Sequence, residues 1–314
     1  MNSTHYSYIR LGAYFDAKSL NYLLFLIVLL IYLTILCANL LLIILICVNR
    51  SLHEPMYVFL CSLFVNELYG STGVFPLLLV QILSDSHTVY RPICFLQIFC
   101  VYSYVGIELF NLAVISYDRY LAICFPLQYN TRMTTAKIAL LIAVAWIVSL
   151  LLVAGTASLS SPLRLCGNVI ANVFCNNYSI VKLACSDTSV NNIYGLFITA
   201  FLVCTPLFLI LYTYIRIFKV CFSGSKQTRQ KAVSTCTPHL ASLINFSCGI
   251  IFEVVQSRFD NIPTLLPVFF SLYLLTCQPL LNPVMYGLKM SKILNVCKSL
   301  FCSKVSVTQL QRRV

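Results

Sequence analysis

Charge is scarce in this sequence. Only 10% of its 314 residues are Asp, Glu, Lys or Arg, where a soluble domain carries about 25%. The four histidines, His5, His53, His87 and His239, are scattered without the spacing of a metal site or a catalytic triad, so nothing argues for an enzyme. Internal repeats and low-complexity tracts are missing, and with them the repeat symmetry of transporters and the charged rings of channel pores. The opening Met1-Asn2-Ser3-Thr4-His5-Tyr6-Ser7 has neither the basic n-region nor the apolar h-region of a secretory signal. What is abundant is apolar surface. At 60% apolar residues, against about 45–50% in soluble domains, the surplus exceeds what one water-facing core can hide. Lipid is the solvent.

Crossing a bilayer takes about 20 mostly apolar residues in a helix. Seven stretches qualify: Tyr22–Val48, Met56–Leu83, Ile93–Ile123, Ile138–Leu159, Ile193–Val220, Val233–Val255 and Ile262–Leu288. Continuous runs of this length argue against a transmembrane barrel, whose segments alternate over about 10 residues. The expected fold is an all-α integral membrane protein, a seven-transmembrane helix bundle. Residues 1–21 form a tail, 22–288 the membrane domain, and 289–314 a cytoplasmic amphipathic segment and tail. Among the links, Ser160–Asn192 stands out as long and polar, with three cysteines.

Lys and Arg set the orientation. Seven spans place the termini on opposite sides. Fifteen of the 21 basic residues, from Arg50 and Arg119 to Arg313, fall on the C-terminal side. The other six, Arg10, Lys18, Arg91, Arg164, Lys182 and Arg258, fall on the N-terminal side. The N-terminus is therefore extracellular and the C-terminus cytoplasmic, and the net charge of +12 is a topology signal rather than a nucleic-acid footprint. A glycosylation sequon at Asn2-Ser3-Thr4 agrees with this. Asn177-Tyr178-Ser179 in the long outer loop is the weaker of the two outer sequons. Four of the sixteen cysteines, Cys94, Cys166, Cys175 and Cys185, lie on the oxidising side, and spacing alone leaves three pairings open. Cys297 and Cys302 follow the last span in a Lys-bearing segment and are candidates for palmitoylation.

Four motifs stand in order along the spans. The second span opens with Leu52-His53-Glu54-Pro55-Met56-Tyr57, and the third ends with Ser116-Tyr117-Asp118-Arg119-Tyr120. The sixth opens with Lys231-Ala232-Val233-Ser234-Thr235-Cys236-Thr237-Pro238-His239, and the seventh carries Pro279-Leu280-Leu281-Asn282-Pro283-Val284-Met285-Tyr286. Together they resemble the odorant receptors, a family of rhodopsin-like G-protein-coupled receptors, from about Asn39 to Lys292. Cys166-Gly167-Asn168, Phe174-Cys175 and Leu183-Ala184-Cys185-Ser186-Asp187 add to the likeness. Three departures from the family pattern stand out: Ala38 before Asn39, Glu67 where Asp is usual, and Ser247 where Tyr is common.

The resemblance implies a receptor in the plasma membrane of olfactory sensory neurons. It would bind a small odorant and activate a stimulatory heterotrimeric G protein that raises cyclic AMP. The same architecture serves receptors for non-olfactory metabolites or peptides. Cys94 would pair with Cys175, and Cys166 with Cys185. Asp118 would hold Arg119 at rest, with Tyr120, Tyr214, His239, Asn282, Pro283 and Tyr286 completing the switch. In the outer half of the bundle, helical spacing turns Tyr102, Val105, Gly106, Thr199, Leu202 and Ile251 inward as ligand contacts. Arg258, at the outer end of the sixth span, resembles the fish-like class I receptors and offers a carboxylate a bidentate fork. Its bland alternative is pairing with Asp260 or Asp187. Glu67 and Glu108 sit deep in their spans, where two carboxylates either bind a cation or share a proton. An allosteric sodium ion, flanked by Asn39 and Asn282, is the expectation.

Overall fold

A computed structural model describes residues 6–14, 18–223, 226–256, 265–289 and 293–294. Seven long helices run through them: α1 (Lys18–Val48), α2 (Pro55–Leu83), α3 (Arg91–Cys124), α4 (Thr135–Ser160), α5 (Ser189–Ser223), α6 (Lys226–Gln256) and α7 (Leu265–Lys289). The apolar runs become helices because a segment in hydrocarbon must satisfy its own backbone polar groups. Start signals are local. Prolines open α2 and α3, where a missing N–H leaves no bond unmade. The Thr134 hydroxyl oxygen caps α4 by accepting from the Lys137 N–H at 3.3 Å. Several helices outrun their apolar stretch, α6 beginning at Lys226 rather than at Val233. Five of them, α1 to α5, hold segments long and apolar enough to cross a membrane.

The bundle is organised around α3. Of its most apolar window 72% is buried, against 22% for α1 and 17% for α4, so α3 is the axis and the other two face outward. It touches α2, α4, α5 and α6, while α7 closes the ring against α1, α2 and α6. Apolar side chains such as Leu24, Leu33, Leu140, Leu151, Phe208 and Leu211 are exposed on the outer surface, as expected where lipid replaces water.

One end of the bundle carries a small sheet that an all-α reading with a plain N-terminal tail does not contain. Strands β1 (Tyr8–Leu11), β2 (Thr88–Tyr90) and β3 (Val169–Ile170) run in the order β2-β1-β3. β1 pairs antiparallel with β2, Ile9 facing Val89, and parallel with β3, Leu11 facing Ile170. Alternation buries Ile9 and Leu11 and exposes Tyr8 and Arg10. The four-residue strand is too short for its period to stand out in the sequence. Beneath it, Ile9, Leu11, Val89, Ile98, Leu165, Ile170 and Ile180 pack around Cys94 and Cys175. Cys94 is bonded to Cys175 and Cys166 to Cys185, the two pairings that the resemblance implies. Tyr14 extends the cap. Its hydroxyl donates to the Val173 carbonyl at 2.8 Å, its ring stacks on His87, and burial pushes its phenol up.

Candidate functional site

At the end of the bundle opposite the sheet, α3 finishes in Asp118-Arg119-Tyr120. Asp118 is fully buried and held from two sides. Arg119 donates to its Oδ2 through Nε at 3.0 Å and also through Nη2. The Tyr129 hydroxyl, from the turn after α3, donates to Oδ1 at 2.6 Å. Burial, followed by the neighbouring Asp118 charge, pushes the Tyr129 phenol up. Tyr120 turns away from this pair, packing edge-on against Phe125 and Tyr212.

One layer deeper, His239 joins three helices. Its Nε2 stands 2.9 Å from the Leu112 carbonyl on α3 and its Nδ1 2.6 Å from the Tyr214 hydroxyl on α5. A carbonyl only accepts, so Nε2 carries the proton and Nδ1 accepts from Tyr214. Tyr214 is therefore committed to His239. Tyr286 is fully buried against Phe64, and its hydroxyl has no hydrogen-bond partner in the structure. In this conformation neither tyrosine hydroxyl is bonded to Arg119.

The middle of the bundle is polar. Glu67 and Glu108 are fully buried. Asn282 Nδ2 bridges them, 2.5 Å from Glu67 Oε1 and 3.0 Å from Glu108 Oε1. Tyr104 donates its hydroxyl to Glu67 Oε2 at 2.9 Å, Asn66 Nδ2 to Glu108 Oε2 at 3.0 Å, and Gln278 Nε2 to Glu108 Oε1 at 3.3 Å. All these donors are neutral. Gly70 makes room for the arrangement, since a Cβ there would run into the Tyr104 ring. Ser242 on α6 donates to Asn282 Oδ1 at 2.7 Å, so Asn282 ties α7 to α2, α3 and α6 at once.

Asn39 does something else. Pro283 has no N–H, so the Pro279 carbonyl one turn earlier loses its helical donor. Asn39 Nδ2 supplies it from α1 at 3.0 Å, while also reaching its own Ile35 carbonyl at 2.9 Å. The Nδ2 is thus spent on repairing the proline break in α7 rather than on either carboxylate. Its Oδ1, the atom that would face an ion, is buried without a hydrogen-bond partner.

A cavity of about 180 Å³ opens in the other half of the bundle, beneath the sheet. Tyr102 and Val105 on α3 and Thr199 and Leu202 on α5 line it, as their spacing predicts. Ile251 does not. It is 58% exposed on the outer surface, and its neighbour Ile250, 6% exposed, lines the cavity instead. The inward stripe of α6 is displaced by one residue, and Glu253 rather than Ile251 completes it. Gly106 lies behind the wall, where a Cβ would come within 3.0 Å of the Ser149 hydroxyl. Arg258, Asn2, Cys297 and Cys302 lie outside the described residues.

Comparison with known proteins decides the family. The olfactory receptor family model matches residues 28–304. The chain belongs to the olfactory receptor family. Human olfactory receptor 11A1 is 33% identical over 310 residues, covering 98% of this chain and 97% of its own. Mouse olfactory receptor 1E16 is 33% identical over 291 residues, covering 92% and 91%. Human olfactory receptor 1F1 is 35% identical over 275 residues, 86% of each. This olfactory receptor is accordingly a member of a family of G-protein-coupled signalling receptors, not of an enzyme family. Its sequence does not advertise Tyr129, Gln278 or Glu253. Tyr129 sits in a polar link with no periodicity, and Gln278 precedes the recognisable Pro279-to-Tyr286 motif. The one available signal was charge, since Glu253 is a rare acid in an apolar run.

Proposed function

We propose that this olfactory receptor is a seven-span receptor with its N-terminus outside and its C-terminus in the cytosol. In this reading it binds a small odorant in the outer cavity and activates a stimulatory G protein that raises cyclic AMP, in the plasma membrane of olfactory sensory neurons. The observation that carries it is the stacking of three layers along one bundle axis. A partly apolar cavity lies under a disulfide-tied cap, a buried polar hub joins α2, α3, α6 and α7, and a His239 and Asp118–Arg119 latch closes the far end. The 180 Å³ of the cavity falls below the roughly 300–1,000 Å³ of sites for larger ligands, in keeping with a volatile-sized molecule. A ligand that prefers the bundle with α6 displaced would break the His239 bridge and free Arg119 for the partner. Asn2 would carry the glycan and Cys297 and Cys302 the acyl chains.

The acidic-odorant expectation needs Arg258, and the described part of the cavity adds nothing to it. A sodium ion fits the hub better. Two buried carboxylates face each other with only neutral donors around them, and Asn66, whose Nδ2 holds Glu108, keeps its Oδ1 buried without a partner. That donor set is oxygen-rich and suits a hard cation. Glu67 and Glu108 would be its carboxylate ligands.

Arg119→Ala tests the function. Surface delivery should stay within twofold of the parent while receptor-dependent cyclic AMP falls to the level of untransfected cells. Undiminished signalling would overturn the assignment.

A further inference from the structure

Asn177 begins the sequon Asn177-Tyr178-Ser179, yet it is no place for a sugar. It is the first residue of a short helix, Asn177–Lys182, in the link between α4 and α5. It is 7% exposed and lines the outer cavity. Its Oδ1 is buried without a hydrogen-bond partner, a destabilising condition that a bound N–H or O–H relieves.

The polar atoms around it point the same way. Asn191 spends its Nδ2 on the Leu159 carbonyl at 3.0 Å, and Asn192 spends its Nδ2 on Thr188 Oγ1 at 3.2 Å. From α6 comes Glu253, the one charged group among the described lining residues. A carboxylate keeps about four acceptor positions, so it can serve a ligand alongside any protein neighbour. The cavity therefore offers acceptors at its polar end and an apolar remainder at Val105, Leu202 and Ile250.

We propose that the cavity selects agonists with a hydrogen-bond-donating head on an apolar body, ammonium above all, with Glu253 as counter-charge and Asn177 Oδ1 as second acceptor. A charge-assisted bond to Glu253 favours an amine over an alcohol, and an ionised acid of the same skeleton has no donor to offer either acceptor. The inference rests on the reading that this cavity is the agonist site.

Two experiments test it. In the first, cells expressing the full chain with a cyclic AMP reporter receive matched C4–C8 amines, alcohols, acids and methyl ethers. Amines should be the most potent, acids and ethers inactive. Glu253→Gln should weaken the best amine at least tenfold while moving the matching alcohol less than threefold. Activation by acids with amines inert leaves the receptor reading standing and overturns this one, as does an amine response indifferent to Glu253→Gln. Silence in every series, with the receptor at the surface, overturns the cyclic AMP reading itself. The second experiment needs no ligand. Asn2→Gln should leave a chain whose mobility is unchanged by peptide N-glycosidase and equal to that of the Asn2→Gln/Asn177→Gln double variant. A sugar remaining on Asn177 would show that its side chain faces solvent, and the proposal would fail.

Discussion

His239→Phe isolates the latch. Phenylalanine keeps the bulk of the ring but cannot accept from Tyr214 or donate to Leu112. In the closed bundle that leaves a buried hydroxyl and a buried carbonyl unpaired. Each lost bond is worth about 0.5–1.5 kcal/mol net, so the closed state loses about 2 kcal/mol. With α6 displaced those bonds are already broken, and the open state loses little. If about 1% of receptors are open at rest, a 2 kcal/mol shift multiplies the open-to-closed ratio roughly 30-fold and raises the open share to roughly a fifth. No agonist is needed to see this. Basal cyclic AMP per surface receptor should climb at least tenfold. Tyr214→Phe should raise it by a smaller factor, and the double variant should not exceed His239→Phe alone, because both changes cut the same bond. Unchanged basal signalling at normal surface density would refute the latch. So would strictly additive effects of the two substitutions, since His239 would then act by packing alone.

The two disulfides should differ in weight. Cys94–Cys175 closes 81 residues and Cys166–Cys185 closes 19, which chain entropy converts to about 4.5 and about 3 kcal/mol. Cys94→Ser should therefore reduce surface delivery, read by flow cytometry, more than Cys166→Ser, and the reverse order would contradict the loop argument. Asn39→Ala leaves the Pro279 carbonyl without its donor and should destabilise the purified receptor by about 1–3 kcal/mol, visible as a lower melting temperature in detergent. Asn39→Asp cannot donate through an ionised carboxylate and should not rescue it. Replacing sodium by a bulky organic cation at fixed ionic strength and pH should change basal signalling severalfold in the parent and leave Glu67→Gln/Glu108→Gln unmoved. Indifference of the parent to the ion would favour a pair of acids sharing a proton.

The long helices were legible because a segment in lipid must satisfy its own backbone, and runs such as Tyr22–Val48 do so without help from the rest of the fold. The latch and the hub were legible as motifs, since Asp118, His239 and Asn282 stand in recognisable surroundings. Partners were harder. Asn39 was placed beside the carboxylates by resemblance, but nothing in its own surroundings announces that its Nδ2 also answers the missing N–H of Pro283, 244 residues further along the chain. Ile251 failed for a geometric reason. Neighbouring residues on a helix differ by about 100° in direction, so an error of one position turns a cavity wall into a lipid contact. Strand β1 was missed because four residues with two apolar members carry almost no periodic signal, and because its partners are remote in sequence.

That remoteness sets an order of assembly. β1 precedes α1, but β2 follows α2 and β3 follows α4, so in the proposed orientation the N-terminal segment has to be carried across the bilayer and held while four helices insert. In that orientation its edges would stay unpaired throughout the interval. Only when residues 88–90 and 169–170 have both arrived can β1 settle between them. The closed cap is thus a certificate that the first half of the receptor has threaded correctly, and variants that weaken Ile9 or Leu11 should be retained during biosynthesis rather than impaired at the cell surface.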